Sequence, residues 1–396
     1  MSDSSASSRP GGIVDPAALL RALEVTASLA RSLRETAAPR DRRGGNPKAE
    51  RDLFRRSGLL GLIVPQSFGG IGANWSTALE AVRVIAREDA SLAHVFGFQH
   101  LMLATVYLFG TEQQWRTLAT QTVEKSWFWG NALNPRDTRA KLAPRAEAFV
   151  IDGAKSFCSG SVDSDALIVS ALDEQGKLFV AAVPSDRAGI VIHDDWDNMG
   201  QRQTDSGSVE FRGVEVRASE LLVTPGPLGS VYAGLRPCIA QLTFSNVFLG
   251  IAEGALAHAK EFVEQRAKPE PPEAARVLEH FGELWLGTEG ARLLCERAGL
   301  SLDAAFALEN ALTPEQRGGL ALEIAAAKVA ATRAGLDVTN RIFELMGARS
   351  TSASAGFDRF WRNLRTLTLH DPVSVKLRAL GSHYLHGEIP APSFYA

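Results

Sequence analysis

Cysteine is scarce. Three residues, Cys158, Cys238 and Cys295, lie far apart in 396 positions, with no CxxC pair. That spacing excludes a disulfide framework and makes a reducing cytoplasm the expected compartment. Metal spacing is missing as well. His100, His193, His258, His280, His383 and His386 show no ligand pattern with carboxylates or thiolates, so no metal centre is expected. No Gly-rich βαβ fingerprint for a nicotinamide nucleotide occurs. No unbroken run of about 18 apolar residues occurs either, which argues against a membrane span. Neither sign of charge dominates: 42 Lys and Arg stand against 45 Asp and Glu, for a net charge of −3. This gives no electrostatic case for nucleic acid or an anionic membrane as partner. The N-terminal "MSDSSASSRPGG" lacks the apolar segment of a signal peptide, and residues 1–14 are expected to be disordered.

What is present is segregated along the chain. "DPAALLRALEVTASLARSLRE" from Asp15 opens with an N-cap and a first-turn proline, then repeats Leu and Ala at helical spacing. The basic stretch "RDRRGGNPKAERD" that follows has no interleaved aromatics and reads as a solvated loop. "GLLGLIVPQSFGGIGANW" reads as a tight buried loop. Ser76–Glu88 and Ala90–Phe109 read as helices, the second apolar nearly all round and therefore buried.

From Ser126 short Val-, Ile- and Phe-rich runs alternate with turn signals. They predict about seven strands in a barrel or sandwich, with "DEQGK" and "FRGV" as hairpin turns. Helices return after "VTPGPLG": one over Pro237–Arg266, a Pro-rich linker "AKPEPPEAA", one over Arg276–Ala311, and one over Thr313–Met346 that starts with a Thr313–Gln316 capping box. The expected fold class is therefore α+β. It comprises an N-terminal helical domain (15–125), a central β-barrel or sandwich domain (126–228) and a C-terminal four-helix bundle domain (229–396).

Several ordered motifs resemble the acyl-CoA dehydrogenase superfamily. They are the Val64–Gly70 loop, "LFGTEQQ", "NMGQRQTDSGSVEFRGVEV" and "GIAEGALAHAKEF". "HVFGFQHL", "WFWGNALNPRD", "KSFCSGSVDSD" and "RTLTLHDPV" resemble its flavin-dependent monooxygenase branch, which includes dibenzothiophene monooxygenase and the alkanesulfinate and dimethylsulfone-pathway monooxygenases. The resemblance implies a two-component enzyme. A separate NAD(P)H:FMN reductase supplies FMNH2 by diffusion, and a C4a-(hydro)peroxyflavin transfers oxygen to a small organosulfur substrate. It also implies a homotetramer.

The resemblance sets Phe157 and Ser159 against the flavin, on one face of a strand opposite Ser156 and Cys158. Asn131 and Asn134 offer amide donors and acceptors to its edge or to the intermediate, and Trp196 is a candidate wall. In the dehydrogenases a Gly-Gly turn meets the FAD pyrophosphate. Here the turn reads "ELMGARST", and Arg349 suits the single phosphate of FMN, with Arg266 a second candidate. A corner that in many dehydrogenases carries a catalytic Glu reads His370-Asp371-Pro372. A neutral imidazole can hydrogen-bond an oxygen adduct, so His370 and His94 are the expected catalytic pair. Where the dibenzothiophene enzyme has a further His and a Tyr, this chain has Leu367 and Phe98, which speaks against a bulky aromatic thioether. The alternative is a FAD-dependent acyl-CoA dehydrogenase with Asp371 as base. A non-catalytic flavin-binding subunit is a third reading.

Overall fold

A computed structural model describes residues 9–11, 15–265 and 271–394. Arg266, most of the 1–14 segment and the start of the Pro-rich linker lie outside the described residues.

The first helix, α1 (Pro16–Arg43), is capped by Asp15, whose Oδ1 accepts the Ala17 amide at 3.0 Å. It runs well past Glu35, into the stretch expected to be a solvated loop, and α2 (Lys48–Ser57) follows after a short turn. That expectation is corrected: Arg40, Asp41 and Arg51 are buried. Their guanidinium and carboxylate groups find partners across the molecule, so burial costs them no unpaired charge. A glycine-rich loop with two 3-10 turns leads to α3 (Trp75–Ala86) and α4 (Ala90–Phe109). Then comes α5 (Glu112–Lys125), started by a Thr111–Gln114 capping box.

The middle region is one curled sheet of β1 (Trp129–Ala132), β2 (Lys141–Arg145), β3 (Ala148–Lys155), β4 (Ala166–Leu172), β5 (Leu178–Pro184), β6 (Ile190–Ile192) and β7 (Val209–Val216). The strand order is β1-β4-β2-β3-β7-β6, with β5 paired to β4. Asp173–Lys177 closes the β4–β5 hairpin as expected. "FRGV" does not turn: Gly213, at φ +61°, lies inside β7, where the left-handed region suits a residue without Cβ.

The C-terminal part consists of α6 (Leu235–Glu264), α7 (Pro271–Leu308), α8 (Pro314–Met346), α9 (Asp358–Thr368) and α10 (Val373–His386). The Thr313–Gln316 capping box opens α8. α6 packs on α8 on one side and on α3 and α4 on the other, so both helical regions share one apolar core, while the sheet has its own. Although no unbroken apolar run exists, α4 and α6 are long and apolar enough to cross a membrane; 94% and 83% of their apolar windows are buried within the fold. The α4–α6 crossing is close because Gly97 has no side chain. A Cβ there would stand 2.5 Å from Thr243 Cγ2.

Candidate active site

The α4–α6 crossing faces the end of the sheet, and a chamber of about 640 Å³ opens between them. Each wall comes from a different part of the chain. α4 contributes His94, Phe98 and Leu101, one turn apart, and α6 contributes Arg236, Ala240, Gln241 and Phe244. The sheet side contributes Asn131, Asn134, Phe157, Ser159, Trp196, Gln201, Thr204 and Ser206, and the α9–α10 corner contributes Leu367, Leu369 and His370.

The corner answers for its own sequence. Proline lacks the N–H that an interior helical position needs, so α9 stops at Thr368 and Pro372 caps α10. The His370 amide reaches back to Leu367 O at 3.0 Å, and its imidazole opens onto the chamber, 4.8 Å from the Phe244 ring centroid. His370 keeps accessible surface and is one of the residues that line the chamber. Enclosure, followed by the nearby Lys328 charge, pushes its pKa down to about 4. Asp371 turns away. It is buried between Lys328 Nζ at 3.3 Å and Lys376 Nζ at 3.2 Å, and it is not part of the chamber wall. Those two cations hold its carboxyl below the ordinary range despite burial. A carboxylate so engaged is badly placed for a general base, which must reach the proton it removes.

His94 is enclosed by Phe98 and Phe244, with centroids at 4.4 Å and 5.3 Å. Burial lowers its pKa to about 3, so it is neutral at pH 7. Its Nδ1 lies 3.3 Å from Gln201 Oε1, while the Gln201 amide nitrogen points to Asn363 O at 3.5 Å. With the amide so assigned, Nδ1 carries the proton and Nε2 the lone pair. That Nε2 is buried without a protein partner. A buried acceptor without a donor is costly, and it faces a chamber able to supply one. His94 therefore offers an acceptor, where the sequence suggested a second donor like His370.

On the sheet side, Phe157 and Ser159 both reach the chamber, but not by strand alternation. β3 ends at Lys155, and Phe157 sits at φ +61°. The turn leaves Phe157 exposed to the chamber, edge-on to Trp196 at 6.0 Å, while Cys158 is buried in the sheet core. Ser159 Oγ lies 2.8 Å from Ser206 Oγ, which lies 2.7 Å from Thr204 Oγ1, a short ladder of hydroxyls. Trp196 Nε1 donates to Gln201 O at 2.7 Å. Asn131 is buried, and its Oδ1 accepts the Leu133 amide at 3.1 Å. Asn134 Oδ1 accepts the Arg136 amide at 3.2 Å, so both asparagines shape their own turns while lining the chamber. Arg349 is exposed on the 3-10 turn after α8 and lies outside the chamber wall.

The 194–208 loop carries Trp196, Gln201, Thr204 and Ser206, and it is pinned from afar. Arg51 Nη1 meets Asp205 Oδ2 at 3.1 Å, Arg40 Nη1 meets Gln203 Oε1 at 2.6 Å, and Asn363 Oδ1 accepts the Gln201 amide at 2.6 Å. Burial pushes the Asp205 carboxyl up to about 6 against the pull of Arg51. Sequence reasoning missed Gln201, Arg136, Arg236, Gln241 and Phe244. For Arg236 and Gln241 the available signal was a guanidinium and an amide side chain within the largely apolar "LRPCIAQLTF" of α6.

Among the described residues no cluster of His, Cys, Asp or Glu could hold a metal ion. Family models for the acyl-CoA dehydrogenase N-terminal, middle and C-terminal domains match residues 20–125, 130–214 and 242–375. A probable FMNH2-dependent monooxygenase, SfnC of Pseudomonas putida, is 55% identical over 95% of this chain and 97% of its own. Dibenzothiophene monooxygenase of Rhodococcus erythropolis is 40% identical over 96% of this chain and 95% of its own. The structure of methanesulfinate monooxygenase MsuC from Pseudomonas fluorescens superposes with a TM-score of 0.93 at 51% identity, covering 97% of this chain and 100% of that one. FMN-bound TdsC from Paenibacillus sp. A11-2 superposes with a TM-score of 0.90 at 42% identity, covering 95% and 100%.

Proposed function

Since the chain belongs to the acyl-CoA dehydrogenase family, in its flavin-dependent monooxygenase branch, we propose that it is a two-component monooxygenase that uses FMNH2 and O2 to oxygenate a small organosulfur compound. The observation that carries the reading is the wall itself. Two neutral imidazoles, His370 and His94, flank Phe244, while Asp371, the one candidate for a dehydrogenase base, is sequestered by two lysines.

The chamber fits FMN. Phe157, Met199 and Leu369 leave 61%, 45% and 64% of their surface exposed, although all three line it. Such apolar area is normally covered in a folded protein, and a planar aromatic ring would cover it. The buried lone pair of His94 Nε2 also awaits a donor. Phe157 and Trp196 would hold the ring, with Ser159, Ser206 and the amides of Asn131 and Asn134 toward its polar edge. Arg349 would meet the phosphate from a neighbouring subunit. Reduced FMN supplies, when bound, the two electrons that let O2 give one atom to sulfur and leave the other as water.

The protein's own part is positioning and proton control. His370, neutral above pH 4, offers an N–H to oxygen within the chamber. His94 accepts at Nε2, and Gln201 keeps its other nitrogen protonated. Phe98, Leu101 and Phe244 exclude water from the same space, which strengthens each hydrogen bond. A separate NAD(P)H:FMN reductase delivers the reduced flavin by diffusion, in the reducing cytoplasm where the three buried thiols persist. The expected homotetramer is supported by α7, where Leu278, Trp285, Leu286, Leu293 and Leu300 present a long exposed apolar stripe suited to a subunit contact.

The test is isotopic. Protein, FMN, NADH, a generic flavin reductase, catalase and 18O2 are incubated with a sulfide, a sulfone and a sulfinate, and products are read by mass spectrometry. One 18O per product molecule is expected for at least one substrate. Protein-independent products only, or thioester dehydrogenation with tightly held FAD, would refute the reading.

A further inference from the structure

Gln241 belongs to the α6 wall of the chamber, and its carbonyl end is already taken. From α8, Lys328 Nζ donates to Gln241 Oε1. An ammonium group donates and never accepts, so the amide has one orientation, with oxygen toward Lys328 and nitrogen away from it. Lys328 is itself fixed. It is 2% exposed, stands 3.3 Å from Asp371 Oδ2, and lies 5.7 Å from the Phe244 ring centroid. The Gln241 Nε2 amide makes no hydrogen bond to another described residue, and it is not sealed inside the protein. The side chain is 4% exposed and lines the chamber.

We propose that Gln241 is a further catalytic residue, which donates its N–H to the oxygen carried by the substrate's sulfur, and that Lys328 is the positioning residue that aims it. The inference rests on the monooxygenase reading above and adds a contact to it.

Oxygenation creates that oxygen. A sulfur lone pair forms the new S–O bond and the O–O bond breaks. Sulfur gives up two electrons, and the second oxygen leaves as water with the two electrons and two protons of reduced FMN. The S–O bond is polar, with negative charge on oxygen, and an N–H held beside it stabilises that charge as it develops. Gln241 precedes Phe244 by three residues on α6, so the two side chains leave the helix on one side. His94 and His370 flank that same ring. A buried amide N–H without an acceptor costs free energy, and a sulfur-bound oxygen removes the cost. The flavin is the other group that could accept from Gln241. However, the side chains suited to the ring, Phe157, Trp196, Ser159 and Ser206, come from the sheet side, whereas Gln241 stands on α6.

The test uses the protein loaded with oxidised FMN, without reductant, so that binding is read apart from turnover. Dimethyl sulfoxide and dimethyl sulfide share the C–S–C frame and differ by one oxygen. Each is titrated in, and binding is read from the flavin absorbance. In Gln241→Met the sulfoxide-to-sulfide affinity ratio is expected to fall about 3- to 10-fold, the scale of one hydrogen bond, with FMN affinity unchanged. Gln241→Glu keeps a partner for Lys328 but has no N–H, so it should lower the ratio too, and it serves if the Met variant folds poorly. Lys328→Met leaves Asp371 to Lys376 and should lower the ratio less, because the N–H remains but loses its direction. A ratio unchanged in both Gln241 variants overturns the inference, as does a wild type that binds neither ligand. An unchanged ratio in Lys328→Met overturns the positioning role. Loss of FMN binding in both Gln241 variants overturns the contact, by giving the amide to the cofactor. A lowered ratio without any 18O product leaves the contact standing and the reaction refuted. 18O product with an unchanged ratio does the reverse.

Discussion

His94 and His370 share one neighbour, the Phe244 ring, at centroid distances of 5.3 Å and 4.8 Å. They arrive there from α4 and from the corner between α9 and α10, separated by most of the chain.

Removing either imidazole should uncouple the reaction. In His370→Ala, product per NADH consumed is expected to fall by at least about 10-fold while hydrogen peroxide rises, the scale of losing a positioned proton donor. His94→Ala should behave alike, and Gln201→Leu more mildly, because it only frees the His94 tautomer. Peroxide and product assays run together check this; unchanged coupling in His370→Ala would remove it from the machinery.

Acid should destabilise the fold, and histidine should be a main cause. His94 and His100 are held at about 3 and His370 at about 4 by burial. The unfolded chain binds these protons near pH 6.5 and the native state refuses them, so stability is full above that pH and falls as pH drops toward the native values. Each fully buried imidazole contributes a slope of about 1.4 kcal/mol per pH unit in that window. Asp205, held up at about 6, has the opposite sign and offsets part of this slope. Thermal melts between pH 7 and 5 should show the decline, and His100→Leu should flatten it. His100 has both ring nitrogens buried without partners.

Arg51→Met should cost about 3–5 kcal/mol, because it leaves Asp205 buried without its cation. The pair is 154 residues apart in sequence and joins α2 to the loop under Gln201. Denaturant melts give the stability change, and flavin fluorescence titration should show weaker FMN binding in the same variant. Normal FMN affinity would mean the loop does not depend on this pair.

Gly97→Val should force α4 from α6, given the 2.5 Å approach of a Cβ to Thr243 Cγ2. Overpacking of this kind costs about 1–3 kcal/mol. Because both helices carry the chamber wall, coupling should drop further than the loss of stability explains, measured well below the melting temperature.

Leu293→Glu places a charge in the exposed apolar stripe of α7. Light scattering should report a smaller assembly than the wild type, with far-UV circular dichroism unchanged. An unaltered mass would move the subunit interface elsewhere.

Local signals in the chain were decisive where structure is local. Thr313 with Gln316, Asp15 before Pro16, and the apolar run of Ala90–Phe109 fixed helices at or near their observed positions, since capping and periodicity act within a few residues. The His-Asp-Pro corner was equally readable, because proline ends a helix wherever it falls. Phe157 was not: its left-handed backbone breaks the strand pattern that the alternation suggested. The basic stretch around Arg40 and Arg51 misled for a related reason. Charge predicts solvent unless a partner exists, and the partners Gln203 and Asp205 lie in another region of the chain.

The amino-acid order alone gave the longer helices, the Asp15 and Thr313 caps, the strand-rich centre and the imidazoles available for chemistry, but not α2, α5, α9 or α10. Tertiary packing decided which of those imidazoles lose their charge, which way Asp371 faces, and that Arg236 ends inside a chamber. Burial and Coulomb energies depend on neighbours brought together across the whole chain, and no short window of residues contains them.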